Sequence, residues 1–468
     1  MQTREAAQSI WRYRDHTQGS LLLSMLVLAL PSIGTGIAGA AAYQLVDLWF
    51  VSSLGAAPLA AVVVTNQSLR QAAFLLVMGS SVVAQMMMAR FVGEERVERA
   101  EHVAGQVLVL GGGLCLIFAL IGGLFPGALL RSVTQDPDVL EVGVPYVRLI
   151  FLLMFGFVMV PLFAAVLGGA GDSTTPMVIS LVATPVSLFA EWCLIFGHLG
   201  FPAFGIQGVA LGSTLGALAA VSIGLWALLS GRCRVHLKAA HLVPDPRMLG
   251  LLVRLSWRPS LQLAGRTLVI IYFMAIAGRF GAEVQAAYGI GIRLEMVVFM
   301  VAFPVANACA TLVGQNLGAG SRRRAWRAVW VATGAELAIC GTFAVLFAVF
   351  REDFVGFFTT DRRVVDLGSE YLLFMAGNML IVGPHFVAFR TLQAAGDLTS
   401  PMLFSNGSAL LVAIPLGHYL ALHTALGPTG LWIAVLTHGL INGALTLSWL
   451  ATGRWTQRHF EAVPPAGP

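Results

Sequence analysis

The sequence predicts an all-α integral membrane protein of twelve transmembrane helices arranged as two pseudo-symmetric six-helix lobes. Three observations predict it. The 468 residues are 57% hydrophobic and only 11% charged, with mean hydropathy +0.81, whereas a soluble domain carries about 25% charged residues. The apolar residues gather into runs long enough for a bilayer, which takes roughly 20 residues per helix. Two distant segments nearly coincide: VLGGAGDSTTPMVIS at 166–180 and TLQAAGDLTSPMLFS at 391–405 are identical at eight of fifteen positions. Each Gly-Asp turn joins two apolar runs. Repeated halves of this kind are the architecture of secondary transporters, with a substrate site between the halves.

The spans fall at about 21–52, 57–90, 103–130, 139–170, 176–197 and 205–229, then 249–280, 283–317, 325–350, 364–395, 401–422 and 430–452. A polar tail, 1–20, precedes the first, which is too long for a signal peptide, so no cleavage is expected. The lobes are therefore 21–230 and 249–455, joined by the polar segment 231–248 and followed by a tail, 456–468. The longest of these spans should tilt, kink or protrude. Pro31, Pro161, Pro304 and Pro384 lie inside spans, and each removes a helical hydrogen bond. Pro31 is the expected hinge.

The repeat reaches beyond the Gly-Asp turns. ARFVGEERVERA (89–100) ends the second span and GQNLGAGSRRRA (314–325) the eighth. Gly93 and Gly318 are 225 apart, as are Gly171 and Gly396; Gly55-Ala56 and Gly281-Ala282 are 226 apart. Six helices per half give both halves the same orientation, with the symmetry axis along the membrane normal and the two Gly-Asp turns on one face. Basic residues set that orientation. With the N-terminus inside, inner segments hold Arg4, Arg12, Arg14, Arg90, Arg96, Arg99, Arg232, Arg234, Lys238, Arg247, Arg322, Arg323, Arg324, Arg327, Arg454 and Arg458, against Arg131, Arg279, Arg351, Arg362 and Arg363 outside. Both termini are expected in the cytoplasm, and the membrane is a bacterial-type cytoplasmic (inner) membrane.

Composition also excludes. The net charge of +5 sits in short loops and not on one stripe, so no nucleic-acid partner is expected. The five cysteines form no CxxC pair, and a disulfide framework or metal site is not expected. No phosphate-binding G-x-x-x-x-G-K-[ST] motif, HExxH or G-x-S-x-G is present, so neither ATP hydrolysis by such a loop nor an enzyme is expected. A membrane-embedded enzyme remains the alternative of a different class. A channel would show rings of one charge type, and the sequence has none.

A charge at a helix centre costs at least about 2.5–3.5 kcal/mol, so each one asks for a reason. Asp47 and Glu191 lie at similar depth in the outer half of the first lobe, in spans one and five. Two carboxyls close together in a low-dielectric site resist double ionisation, which is the property a proton-coupled carrier needs. Ser187 is one turn before Glu191, on the same face. A structural reading pairs Asp47 with Arg70, and Glu191 with Arg148. Arg266 and Glu295, on consecutive spans, are expected to pair; Glu336 is expected to cap or pair locally. His385, His418 and His438 read as packing histidines. Met78 and the run Met86-Met87-Met88 are adaptable apolar surface, either cavity lining or lipid-facing filler.

Several motifs, in order, resemble one family. VDLWFVSSLG (46–55) is similar to that family's first-helix ending, the two GD-x-x-x-P-M turns to its paired inner loops, GQNLGAG (314–320) to its eighth-helix ending, and AIPLGHYL (413–420) with GPTGLWIAVL (427–436) to its last helix pair. The family is that of multidrug and toxic compound extrusion (MATE) transporters, and the resemblance covers about 20–455. It implies a V-shaped, two-lobed fold that exports amphipathic, often cationic, organic compounds or drugs by antiport with H⁺ or Na⁺, with no other cofactor. Asp47 matches the family's first-helix acid; Glu191 falls where many relatives have Asp, and Ser187 where many have Asn. The acids some relatives carry in spans seven and ten are missing here, where Gln262, Arg266 and GNMLIVGPHFVAF (377–389) stand. Coupling is therefore expected at Asp47, Glu191 and Ser187, with H⁺ favoured and Na⁺ the alternative at Asp47/Glu191. The substrate cavity is expected between the lobes, lined by spans one, two, seven and eight, with Tyr43, Gln44, Met78, Arg266 and Arg293 as contacts. The protein is expected to act as a monomer in the lipid bilayer. A flippase for a lipid-linked precursor, in the same superfamily, is the closer alternative.

Overall fold

A computed structural model of the chain describes residues 15–36, 42–231 and 233–457. Arg4, Arg12, Arg14, Arg232 and Arg458 lie outside the described residues, as does the middle of the first expected span, 37–41. The described residues are helical, without a strand. The first span is represented by α1 (Leu21–Gly34) and α2 (Ala42–Ser52), and the second by α3 (Ala56–Val64), a π-helical turn at Thr65–Leu69 and α4 (Arg70–Gly93). Then come α5 (Val97–Leu124), the short α6 (Pro126–Arg131), α7 (Pro137–Leu152), α8 (Phe155–Ala170), α9 (Thr174–Phe196) and α10 (Ile206–Leu229). The second half has α11 (Pro246–Arg279), α12 (Ala282–Gly318), α13 (Arg322–Val349), the short α14 (Arg351–Gly356), α15 (Arg362–Ala394), α16 (Thr399–Ser408), α17 (Ile414–Leu422) and α18 (Thr429–Ala451). Among the described residues ten helices are long and apolar enough to cross a membrane, or eleven with the bent pair α7 and α8. That pair breaks at Leu153–Met154 with a 40° bend, and not at Pro161. Just past the break Gly156 meets Ala217 of α10, where a Cβ would come within 1.9 Å of the alanine methyl, so the bend brings α8 onto α10.

The local geometry of the two halves repeats more fully than the sequence does. Gly171 and Gly396 take φ of +94° and +90°, a region open to glycine. The amides of Asp172 and Asp397 donate to Leu167 and Leu392 carbonyls at 2.9 and 2.8 Å, closing the same helix end. Both aspartates then cap the next helix: Asp172 accepts from the Thr174 and Thr175 amides, Asp397 from the Ser400 amide. A further matched turn precedes α7 and α15. The amides of Asp136 and Asp361, 225 apart in the sequence, donate to Thr134 and Thr359 hydroxyls at 3.3 and 3.2 Å, and their carboxylates cap the Asp138 and Arg363 amides, both at 2.9 Å. Asp397 differs from Asp172 in being fully buried and in accepting from the Trp449 indole N–H at 2.8 Å. Asp397→Ala should therefore destabilise more than Asp172→Ala. A lost cap costs about 1 kcal/mol and an unsatisfied buried donor a further 1–3 kcal/mol, roughly; thermal unfolding in detergent checks the order.

Contacts divide the chain into two units. Among the described residues one takes Asp15 and Leu30–Trp257; the other takes His16–Ala29 and 258–457. The partition differs from the expected lobes at two places, one residue ahead of Pro31 and one ahead of Pro259. It also assigns 231–248, expected as the junction, to the first unit. The reason is α5: Gln106, fully buried, donates to the carbonyls of His241 and Val243 at 2.9 and 2.7 Å and accepts from the Asp245 amide at 2.8 Å. Glu101 accepts from the His236 amide at 3.0 Å, and His102 lies 3.2 Å from Asp245. Burial works to raise the Asp245 carboxyl, but hydrogen bonds from the Met248 and Arg247 amides and the His102 ring prevail and hold it below the usual carboxylate range.

The core of the first unit includes Met86, Met87 and Met88, all buried. These methionines are thus neither cavity lining nor lipid-facing filler; Met88 packs where α4 meets Gly169 of α8. In the second unit the core centres on Trp432, with Tyr371 and Tyr288 at centroid separations of 4.7 and 5.7 Å.

Candidate functional site

In the first unit α2 carries Tyr43 and Asp47, four residues apart and so on one face, about 6 Å along the axis. The Tyr43 hydroxyl donates to Oε1 of Glu191 at 2.7 Å. Glu191 on α9 is fully buried. Its Oε2 and the Oδ1 of Asp47 are buried without hydrogen-bond partners, an expensive arrangement for either group in ionised form. Glu191 and Asp47 lie within electrostatic reach of one another.

The place of Glu191 is set by glycines of α10. Gly208, Gly212 and Gly216 recur every fourth residue, the small-residue spacing that lets membrane helices approach closely. A Cβ on Gly212 would lie 2.5 Å from the Glu191 amide nitrogen and Cγ, and one on Gly216 would lie 1.8 Å from the Ser187 hydroxyl. The Ser187 side chain thus faces α10 one turn from Glu191.

Neither structural ion pair forms among the described residues. Arg70 donates to Asn66 Oδ1 at 2.8 Å and lies over the Phe157 ring, 4.5 Å from its centroid. It follows directly on the π-helical turn, a feature frequent at functional sites. Arg148 is exposed and does not reach Glu191. The sequence reading missed Tyr146 on α7, fully buried and within electrostatic reach of Asp47, Glu191 and Arg70. It missed the glycine series as well, although the spacing Gly208–Gly212–Gly216 was there to be read.

Of the expected substrate contacts, Tyr43 is engaged with Glu191. Gln44 is exposed, Met78 half-buried and Arg293 exposed on their own units. In the second unit Arg266 pairs with Glu295 at 3.2 Å and lies 5.2 Å from the Phe299 centroid. Gln262 accepts from Gln393 at 3.0 Å. His418 bonds Tyr272 at 2.8 Å and His385 meets Asn442 at 3.4 Å. Pro31 leaves the Val27 carbonyl without its helical donor, and the Thr35 hydroxyl bonds the Pro31 carbonyl at 2.9 Å. Glu336 sits fully buried in mid-helix; it caps no helix end and forms no ion pair among the described residues, and its local partner is the Cys340 thiol, 3.8 Å from Oε2.

The sequence profile described as MatE matches twice, at 31–192 and 261–419, once in each half. Among curated proteins the chain is 25% identical to the probable multidrug resistance protein YoeA of Bacillus subtilis, over 92% of this chain and 91% of that one. It is 24% identical to the probable multidrug resistance protein NorM of Thermotoga maritima, over 72% and 75%. Among solved structures it resembles a MATE protein crystallised in the bent conformation (TM-score 0.86, 18% identity, 94% of this chain and 97% of that one). A MOP superfamily transporter from Pyrococcus furiosus aligns with TM-score 0.85 at 18% identity, over 95% and 98%.

Proposed function

The chain belongs to the MatE family, and on that premise we propose that it exports amphipathic organic compounds, cationic ones foremost, in exchange for protons bound at Asp47 and Glu191. It is a transporter of the multidrug efflux type, embedded in a membrane. The cell is taken as bacterial, with both termini in the cytoplasm, and the working unit as a single chain. Gln44, Met78 and Arg293 remain the proposed substrate contacts not engaged with a carboxylate.

The observation that carries the coupling site is the hydrogen bond from Tyr43 to buried Glu191, with Asp47 one turn further on α2. Helix α2 is thereby tied to α9 through a group that gains or loses charge with a proton. Loading the proton removes charge from the interior and changes what that contact favours. A proton that weakens substrate binding must be expelled by substrate to the same degree, because linkage is reciprocal. Tyr43→Phe removes the tie and keeps the ring. It should slow gradient-driven efflux by roughly tenfold to a hundredfold, on the order of the 1.5–3 kcal/mol a hydrogen bond to a charged group contributes, with less loss than Glu191→Gln.

The test is efflux of a fluorescent organic cation from vesicles. A pH gradient alone should drive it, a protonophore should stop it, and a Na⁺ gradient at equal pH should leave it at background. Efflux driven by Na⁺ at equal pH moves the coupling ion to sodium at the same carboxylates. Efflux that follows neither gradient removes the antiport reading.

A further inference from the structure

We infer that Glu336 is a second proton-binding site, in the half of the molecule that lacks the acids some MATE relatives carry in spans seven and ten. The carboxyl lies midway along α13 and is fully buried. Oε1 is buried without a hydrogen-bond partner, and the Cys340 thiol lies 3.8 Å from Oε2. The Ala306 amide of α12 also faces the group.

Among the described residues no cation forms an ion pair with it. The ionisable side chains that face it are Cys309 on α12 and Cys340 on its own helix; on α15 the ionisable residues that follow its contact at Gly383 are His385 and Arg390. Arg390 is engaged with Gln393 at 2.7 Å and lies over Phe303, 5.7 Å from the ring centroid. His385 meets Asn442. Cys309 contacts Thr391 and the Ala328 carbonyl. Among the described ion pairs none includes Glu336. An ionised carboxylate without a cation is not stable in such a place, so this conformation carries the acid with its proton.

The internal repeat separates a functional acid from an architectural one. At the spacing of the two Gly-Asp turns, the matching position in the first half is Gly111 on α5, and its junction is wholly apolar. A Cβ there would meet Leu162 at 2.6 Å and Met159 at 3.1 Å. The first half builds the same helix packing with no polar atom at this point. The second half places a carboxyl there, in contact with the two helices that prolines interrupt. Ala306 lies two residues past Pro304, and a Cβ on Gly383, next to Pro384, would lie 3.1 Å from the Glu336 carbonyl. A shift at either proline opens the site and lets the proton leave. A group that the fold does not require, held protonated beside two prolines, has the makings of a proton-exchange site.

The inference rests on the exporter reading only for its consequence in transport, and its binding test needs no transport. Dicyclohexylcarbodiimide adds the O–H of a carboxylic acid across one C=N bond and rearranges to a stable N-acylurea, so it marks buried protonated carboxyls and spares ionised ones. The full-length protein in detergent is treated across a pH series, digested and mapped by mass spectrometry. Label at Glu336 should be present in mild acid and fall at least tenfold in alkali, in wild type and in Asp47→Asn alike. The second readout is the pH profile of gradient-driven efflux in Glu336→Gln. Gln imitates the protonated acid, so the protein should elute and melt like wild type while its profile flattens. Label that is absent or unchanging across the series overturns the proposal, as does an efflux profile for Glu336→Gln that superimposes on wild type. pH-dependent label at Glu336 in a protein that exports nothing would leave the proton site standing and the exporter reading fallen.

Discussion

Asp47→Asn is expected to reduce gradient-driven efflux to the background of empty vesicles while the protein elutes and melts as wild type. The carboxyl has one oxygen buried without a partner and no cation in ion-pair contact among the described residues. Asparagine keeps its shape and removes only its capacity for a proton. Glu191→Gln should act alike, although it retains an acceptor for Tyr43. Glu191→Asp should keep substantial efflux: the carboxyl survives, and the hydrogen bond from Tyr43, now 2.7 Å, stretches over one lost methylene. Arg70→Ala should be milder than either, because Arg70 is held by Asn66 and Phe157. Normal efflux from Asp47→Asn would sink the coupling site. A loss of folded protein shared by Asp47→Asn and Arg70→Ala would make Asp47 structural.

Gly212→Val is expected to be the most damaging substitution outside the carboxylates. A single Cβ there meets the Glu191 backbone at 2.5 Å, and backbone cannot step aside as a flexible side-chain end can. Overpacking costs about 1–3 kcal/mol, here concentrated on the residue proposed to bind the proton. Efflux should fall to background and the melting temperature should drop. Gly112→Ala is the control: that glycine is exposed on α5 and has nothing within 4 Å of an added Cβ, so the change should be neutral or slightly stabilising. Equal melting and efflux for both variants would show that the α9–α10 approach does not govern the site.

The helical class, the membrane and the repeat were legible because they rest on local rules. Bilayer thickness imposes run length, and a turn that needs positive φ imposes Gly171 and Gly396. The Thr134–Asp136 and Thr359–Asp361 turns obey the same repeat spacing, but share too few letters to stand out in the sequence. At the site, Asp47 and Glu191 were legible as charges placed where charge is costly. Their tie through Tyr43 was not, because a hydroxyl far away along the chain signals nothing until two helices meet.

What the sequence alone determined was therefore periodic or local: an all-helical chain, two related halves, the capped turns, and which charges must be explained. The tertiary structure alone decided pairing and burial. It left Arg70 and Arg148 out of ion-pair contact with the acids, put three methionines into a core, laid the segment from His236 to Asp245 on α5, and left Glu336 without an ion-pair partner among the described residues. The physical reason is that a side chain's partner depends on the rotation and depth of two packed helices. A helix turns about 100° per residue, so an uncertainty of one or two positions in register is enough to exchange one neighbour for another.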